Sequence, residues 1–284
     1  MRGRDAFTIA VPGGLLGGWL AGAGPPVLLL HGGPGLSFEY LDELGDELAT
    51  DFRLAAYQQR GLEPSTLNGP FTIAQAVDDA IAVLDGLDWE RALVVGHSWG
   101  GHLALRLAVA HPTRLLGVLA VDPLGIAGDG GMAAFDAEMV ARTPRENRER
   151  RRALNERIID GGGTTEDFLE SMRLVWPAYF ADPEDVPPMP PLRASAEAYS
   201  GIIGQVSADS DRIAAALGDT EVRYGVLAGG ASPMPWGQAA RATVELSPRA
   251  FLKVVPAAGH FPWLDEPGCV RAALKRLAPA RAEA

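Results

Sequence analysis

The sequence predicts an α/β protein with a mostly parallel sheet covered by helices on both faces, and three observations carry that prediction. Up to Val121, short apolar runs rich in Val and Leu alternate with helical patterns, the signature of strand–helix–strand units. The run Gly96-His97-Ser98-Trp99-Gly100 sits where one apolar run ends and a helical pattern begins. With 284 residues, 47% of them apolar, the chain can bury a large core, either as one extended domain or as a domain carrying an insertion.

The elements follow in order. Arg2 and Arg4 precede an apolar stretch that imitates a secretory signal, but Pro12, Gly13, Gly14, Gly17 and Gly18 would break a continuous apolar helix. Two short strands, 7–11 and 15–21, around a Pro-Gly-Gly turn are the better reading. A buried strand is expected at 26–30, a helix at 37–48 and a strand at 52–57. A helix over 72–87 is marked by Ile73, Val77, Ile81 and Leu84, with Thr72 as its N-cap. A strand then leads into the serine motif, a helix runs to about His111, and a strand follows at 116–121.

From Pro123 the alternation stops, giving way to charged helical stretches broken by Gly161-Gly162-Gly163 and by the proline-rich segment 187–191. The expected organisation is a core of 1–122 and 220–284 with a helical cap inserted at 123–219. Strands resume at 222–228 and 250–255, and a final helix is expected at 265–277. The arginine-rich run 145–152, interleaved with Glu146 and Glu149, reads as a solvated helix face rather than an anion-binding patch.

A formal net charge of −11 argues against a nucleic-acid polyanion or an anionic membrane as partner, leaving a small neutral or cationic molecule. No segment is long and apolar enough to span a bilayer. The single cysteine, Cys269, cannot form an intramolecular disulfide, so the cytoplasm is the default compartment.

The serine motif carries the chemistry. Glycines two residues before and two after Ser98 leave room for a sharp strand-to-helix turn that lifts one hydroxyl clear of the sheet, the geometry of a nucleophile elbow. A serine hydroxyl needs a base within hydrogen-bond reach and an acid that orients the base. His31 and His97 lie beside glycines inside motifs where they shape backbone, and His102 and His111 fall on the helix after the elbow. His260 lies between the last strand and the last helix, where a loop can deliver an imidazole to the top of the sheet. Two backbone N–H groups would hold the oxyanion of acyl transfer. Trp99, after the nucleophile, supplies one, and Gly33 the other, because Pro34 has no N–H.

His31-Gly32-Gly33-Pro34-Gly35, Gly96-His97-Ser98-Trp99-Gly100-Gly101 and Gly259-His260-Phe261-Pro262-Trp263 together resemble the α/β-hydrolase superfamily. The first motif resembles its proline iminopeptidase branch in particular. The resemblance covers nearly the whole chain apart from the cap, and it implies an eight-stranded sheet with a helical cap over the active site.

The chain departs from that family in two places. The family's acid follows the strand before the histidine strand in a Gly-x-x-Asp-Pro setting, and here Gly229-Gly230-Ala231-Ser232-Pro233 puts a serine there. Asp122, at the carboxyl end of the strand after the elbow helix, keeps the order Ser, Asp, His and is the expected substitute. The alternative is that it only caps the start of the insertion; Asp129, in a Gly-Asp-Gly-Gly loop, is a weaker candidate. The branch's Asp-Gln-Arg-Gly is replaced by Gln58-Gln59-Arg60-Gly61, and His97 stands where its peptidases often have glycine. The branch also binds a substrate amino group with cap carboxylates, for which Glu166, Glu170, Asp182, Glu184 and Asp185 are available. Trp176, Tyr179 and Phe180 are expected to line an apolar substrate pocket facing Ser98.

The expectation is therefore a serine hydrolase cleaving an ester, amide or related acyl bond of a small, largely apolar substrate, with neither metal nor organic cofactor. An aminopeptidase releasing N-terminal proline, and a ligand-binding protein that kept the fold and lost the triad, are the rivals. Relatives that act as dehalogenases or epoxide hydrolases place an aspartate where Ser98 stands.

Overall fold

The computed structural model describes residues 3–278, so the outermost ends of the expected core segments, 1–2 and 279–284, lie outside the described residues. Eight strands form one sheet: β1 (Asp5–Val11), β2 (Gly14–Ala21), β3 (Pro26–Leu30), β4 (Arg53–Tyr57), β5 (Ala92–His97), β6 (Leu115–Val121), β7 (Tyr224–Gly229) and β8 (Phe251–Val255). They are ordered β1-β2-β4-β3-β5-β6-β7-β8. The expected hairpin is present, with β1 and β2 antiparallel and Val11 opposite Gly14 across the tight turn. β2 runs antiparallel to β4, and every pairing from β4 onward is parallel.

Alternating side chains of the central strands bury into two different cores, which is why these strands read as continuous apolar runs. Leu28, Leu30, Val94, Val118 and Ala120 pack on one face. Val27, Leu29, Leu93, Val95, Leu119 and Val121 pack on the other. The helices α1 (Asp42–Leu48), α2 (Ile73–Gly86) and α3 (Trp99–Ala110) connect the first strands. Leu44 and Leu48 of α1 cover the second face, whereas Val83 of α2 and Leu103 of α3 cover the first. Thr72 caps α2 as expected, its side chain accepting the Gln75 N–H.

Between β6 and β7 lie α4 (Met132–Arg142), α5 (Arg145–Ile159), α6 (Thr165–Val175), α7 (Ala196–Ile203) and α8 (Ser210–Asp219). A capping box at Thr164 and Asp167 starts α6. The last inserted helix belongs by packing to the core: Ile213 and Leu217 of α8 join the cluster that holds Leu103 and Leu105 of α3.

After β7, α9 (Ala242–Val244) follows a wide helical turn over Gly237–Arg241. The expected final helix is instead two pieces, α10 (Pro262–Asp265) and α11 (Cys269–Lys275). Pro267 and the left-handed Gly268, at φ 88°, break it. The expected helix at 37–48 likewise starts late, with a 3-10 turn at Glu39–Leu41 before α1. No helix among the described residues is long and apolar enough to cross a membrane.

Candidate active site

Parallel pairing points the carboxyl ends of β3, β5, β6, β7 and β8 to one edge of the sheet, where ligands bind in open α/β sheets. Gly33, Ser98, Asp122, Ser232 and His260 each follow one of those ends.

Ser98 occupies the junction of β5 and α3 with φ 54° and ψ −120°, a conformation non-glycine residues avoid. The turn is so tight that a side chain at Gly96 would collide with the Gly100 carbonyl, and one at Gly100 with the Leu30 carbonyl. The strain is local to Ser98; its glycine neighbours make it sterically possible.

Asp122 is the second non-glycine residue at this edge with a left-handed backbone, at φ 43°. Its buried carboxylate takes three donors. The Gly229 N–H donates to Oδ1 at 2.9 Å, the Ser232 hydroxyl to Oδ2 at 2.5 Å, and His260 Nδ1 stands 2.6 Å from Oδ2. Because a carboxylate only accepts, Nδ1 carries the imidazole proton and Nε2 is left to accept. Ser232, the serine of the Gly-Gly-Ala-Ser-Pro stretch, is thus a hydrogen-bond donor to the Asp122 carboxylate.

The His260 loop is held from two further sides. Its backbone N–H donates to the Tyr179 carbonyl at 2.8 Å, and the Tyr179 ring stacks on the imidazole at 5.0 Å between centroids. Its carbonyl lies 2.8 Å from His97 Nε2. Burial, followed by the neighbouring His260, pushes the His97 pKa well below its ordinary value, so His97 is neutral. A carbonyl accepts, so Nε2 carries the His97 proton and Nδ1 accepts from the Tyr40 hydroxyl at 2.9 Å. That hydroxyl accepts in turn the Gly32 N–H at 2.5 Å. A chain of hydrogen bonds therefore ties the loop after β3 to the loop bearing His260.

Gly32 being engaged by Tyr40, the next N–H in that loop is Gly33, at φ 53°, which donates to no protein group among the described residues. Trp99 opens α3, where first-turn N–H groups have no intrahelical acceptor. The other motif residues are scaffold. Gln58 and Gln59 hydrogen-bond His31, Gln59 accepts the Trp99 indole N–H at 2.9 Å, and Arg60 grips Asp79 with two hydrogen bonds. Burial lowers the pKa of both His31 and His102 to about 4.

Gly33, Ser98 and His260 line one cavity of about 130 Å³, which the inserted helices close with Met139, Arg151, Ile158, Phe168, Trp176 and Tyr199. That volume matches the engineered cavity known to hold benzene, so the space suits a small molecule.

A family model described as the alpha/beta hydrolase family matches residues 27–273. The chain belongs to the alpha/beta hydrolase family. An epoxide hydrolase B of Mycobacterium tuberculosis is 34% identical over 102 residues, 35% of this chain and 29% of the relative. A 2-hydroxymuconate semialdehyde hydrolase of Pseudomonas sp. is 34% identical over 110 residues, 37% of this chain and 39% of the relative. These alignments span less than two thirds of the relatives' own lengths. The solved proline iminopeptidase of Mycobacterium smegmatis shares the fold, with a TM-score of 0.67 at 21% identity over 96% of this chain and 97% of that one. The expected superfamily and its eight-stranded, mostly parallel sheet are both borne out.

Within this family frame, several sequence-derived site residues fall elsewhere. Trp176 and Tyr179 line the cavity, but Phe180 does not: it packs behind it on Trp176 and Phe261, at 5.1 and 5.5 Å between ring centroids. None of the five carboxylates suggested for an amino group reaches the cavity. Glu166 pairs with Arg173, Glu170 with Arg150, Asp182 accepts the Glu184 N–H, and Glu184 and Asp185 are exposed. Asp129 is exposed and accepts the N–H groups of Gly131 and Ala133 at the start of α4, far from the role considered for it. Sequence reasoning missed Tyr40 and the Ser232–Asp122 bond, and it gave Arg151 to solvent. For Arg151 the signal was present, since 151, 154 and 158 fall on one helical stripe and Leu154 and Ile158 are buried.

Proposed function

We propose that the chain is a serine hydrolase acting on the acyl bond of a small molecule, an ester, amide or related group. The observation that carries this reading is the pair formed by the buried Asp122 carboxylate and His260 Nδ1, whose imidazole shares one cavity with Ser98. Ser98 Oγ attacks the substrate carbonyl while His260 Nε2 takes its proton, and Asp122 holds the resulting imidazolium. The oxyanion rests on the N–H groups of Gly33 and Trp99, an interaction worth several kcal/mol at the transition state. His260 returns the proton to the leaving group, and a water activated by the same imidazole frees Ser98 from the acyl-enzyme. Side chains and water suffice for each step. The helices of 123–219 act as a cap over the cavity, apart from α8, which packs with the core.

Two rival readings lose ground. A ligand-binding protein with a lost triad was motivated by Ser232, yet the Ser232 hydroxyl donates to the carboxylate that takes the acid's place. An aminopeptidase would need cap carboxylates free to take an amino group; the five considered lie elsewhere, and the one that lines the cavity, Asp136, shares it with the positive charge of Arg151. The epoxide hydrolase relative does not transfer its chemistry, because Ser98 stands where such enzymes place an aspartate. A fluorophosphonate probe is expected to label Ser98 stoichiometrically in the wild type and not at all in Ser98→Ala. Wild-type protein that resists the probe and leaves p-nitrophenyl acetate intact would overturn the proposal.

A further inference from the structure

Arg151 stands on α5 with its side chain in the cavity that holds Ser98 and His260. It is only 8% exposed. Its Nε is fully buried with no hydrogen-bond partner, and among the described residues no carboxylate lies within ion-pairing distance of it. A guanidinium removed from water without a counter-ion is costly, so folded chains pair such groups or reserve them for a ligand.

Its neighbours show the ordinary solutions. Arg150 pairs with Glu170, Arg157 with Asp167, and Arg148 donates to the Thr143 and Ala141 carbonyls. The one carboxylate lining the same cavity is Asp136: burial pushes its pKa up and the nearby charge of Arg151 pulls it down, but the two form no hydrogen bond or ion pair, and Arg151 Nε keeps no partner. A planar fork of N–H donors in an otherwise largely apolar chamber fits a carboxylate, which accepts two parallel hydrogen bonds from it.

We infer that Arg151 receives a carboxylate of the substrate, making the preferred substrate a compact acid held at one end by the insert and presented to Ser98 at the other. The inference rests on the serine-hydrolase reading and replaces the expectation of a largely apolar substrate with that of an anion. It also explains why one residue of a run that reads as solvent-facing is turned inward.

Two measurements test it. The first is a matched pair of p-nitrophenyl esters, the glutarate monoester and the valerate ester, alike in chain length but not in charge. The wild type is expected to favour the anionic ester in kcat/KM by about 10- to 100-fold, the effect of one buried charge-assisted contact. Arg151→Met is expected to erase that preference, losing far more on the anionic ester than on the valerate ester, and Arg151→Lys to restore part of it. A wild-type preference for the neutral ester would overturn the inference, as would an equal loss on both esters in Arg151→Met. Asp136→Asn, which removes the negative charge nearest Arg151, is expected to raise the preference further; its loss there would also overturn the inference.

The second measurement needs no turnover, so it separates this inference from the catalytic reading. Glutarate is expected to raise the Tm of the wild type and of Ser98→Ala but not that of Arg151→Met, while neutral glutaramide moves none of them. Absence of the shift in the wild type, an equal shift in Arg151→Met, or an equal shift with inorganic phosphate would sink the carboxylate assignment whether or not Ser98 is a nucleophile. Failure of ester hydrolysis with the glutarate shift intact would instead overturn the catalytic reading alone.

Discussion

The sheet core and the helical insert treat buried arginines in opposite ways. In the core, Arg60 is locked on Asp79, and Arg106 is held by Asp209, by the Val206 carbonyl and by His102 Nε2. In the insert, Arg151 is as buried and has no carboxylate partner among the described residues. Arg60 and Arg106 are matched by carboxylates, Arg106 by one from the segment just before α8, whereas Arg151 is left open toward the cavity. On the proposed reading, the core supplies a reaction indifferent to what the acyl group carries, and the insert decides which acyl group arrives.

That division is open to attack, most severely at the nucleophile. Ser98→Ala should lower kcat on every ester tested by on the order of 10⁵-fold or more, with an unchanged melting curve. A loss confined to one substrate would break the division. Next comes the acid. Asp122→Asn should cost roughly 10⁴-fold in kcat, since the amide would favour the wrong imidazole tautomer, whereas Ser232→Ala should cost less than about tenfold because two donors to the carboxylate remain. The opposite ranking would return the acid's role to the β7 loop.

A third prediction concerns stability. His31 and His102 are held neutral with pKa values near 4, below the ordinary 6.5, so between those limits the unfolded chain binds more protons than the folded one. Stability should therefore be fully present above about pH 6.5 and decline as the pH falls toward 4, by roughly 3 kcal/mol for each histidine. Urea midpoints between pH 7.5 and 4.5 read this directly, and His102→Gln should flatten the decline; a midpoint constant across the window would refute it. The smallest effect belongs to the insert. Trp176→Ala should reduce kcat/KM about tenfold for an ester whose chain fills the cavity and leave p-nitrophenyl acetate nearly untouched. Equal losses on both would place Trp176 in the core's account.

How much of this the chain announced in advance follows the same line. The strands were legible because both of their faces are buried, and a buried strand such as Leu93-Val94-Val95 has no polar alternation to blur it. Ser98, Gly33 and His260 were legible because a strained elbow, a glycine loop and a late loop histidine are local demands written into adjacent residues. Asp122 was legible only as the best of several carboxylates, because its contact with His260 spans 138 residues of sequence. The final helix is shorter than its apolar spacing suggests, because Pro267 and the left-handed Gly268 break it into α10 and α11. The insert was read worst. In α5 the charged residues outnumber the apolar ones, so composition says solvent, and only the stripe through Arg151, Leu154 and Ile158 says otherwise.

The bond between Ser232 and Asp122 bears on recognition as well as on mechanism. The two residues follow neighbouring strands, and Ser232 and His260 converge on one carboxylate oxygen of Asp122. On the proposed reading, a search for an aspartate at one fixed position would pass over this chain, and a serine there that donates to a carboxylate on the neighbouring strand is the mark by which to recover it.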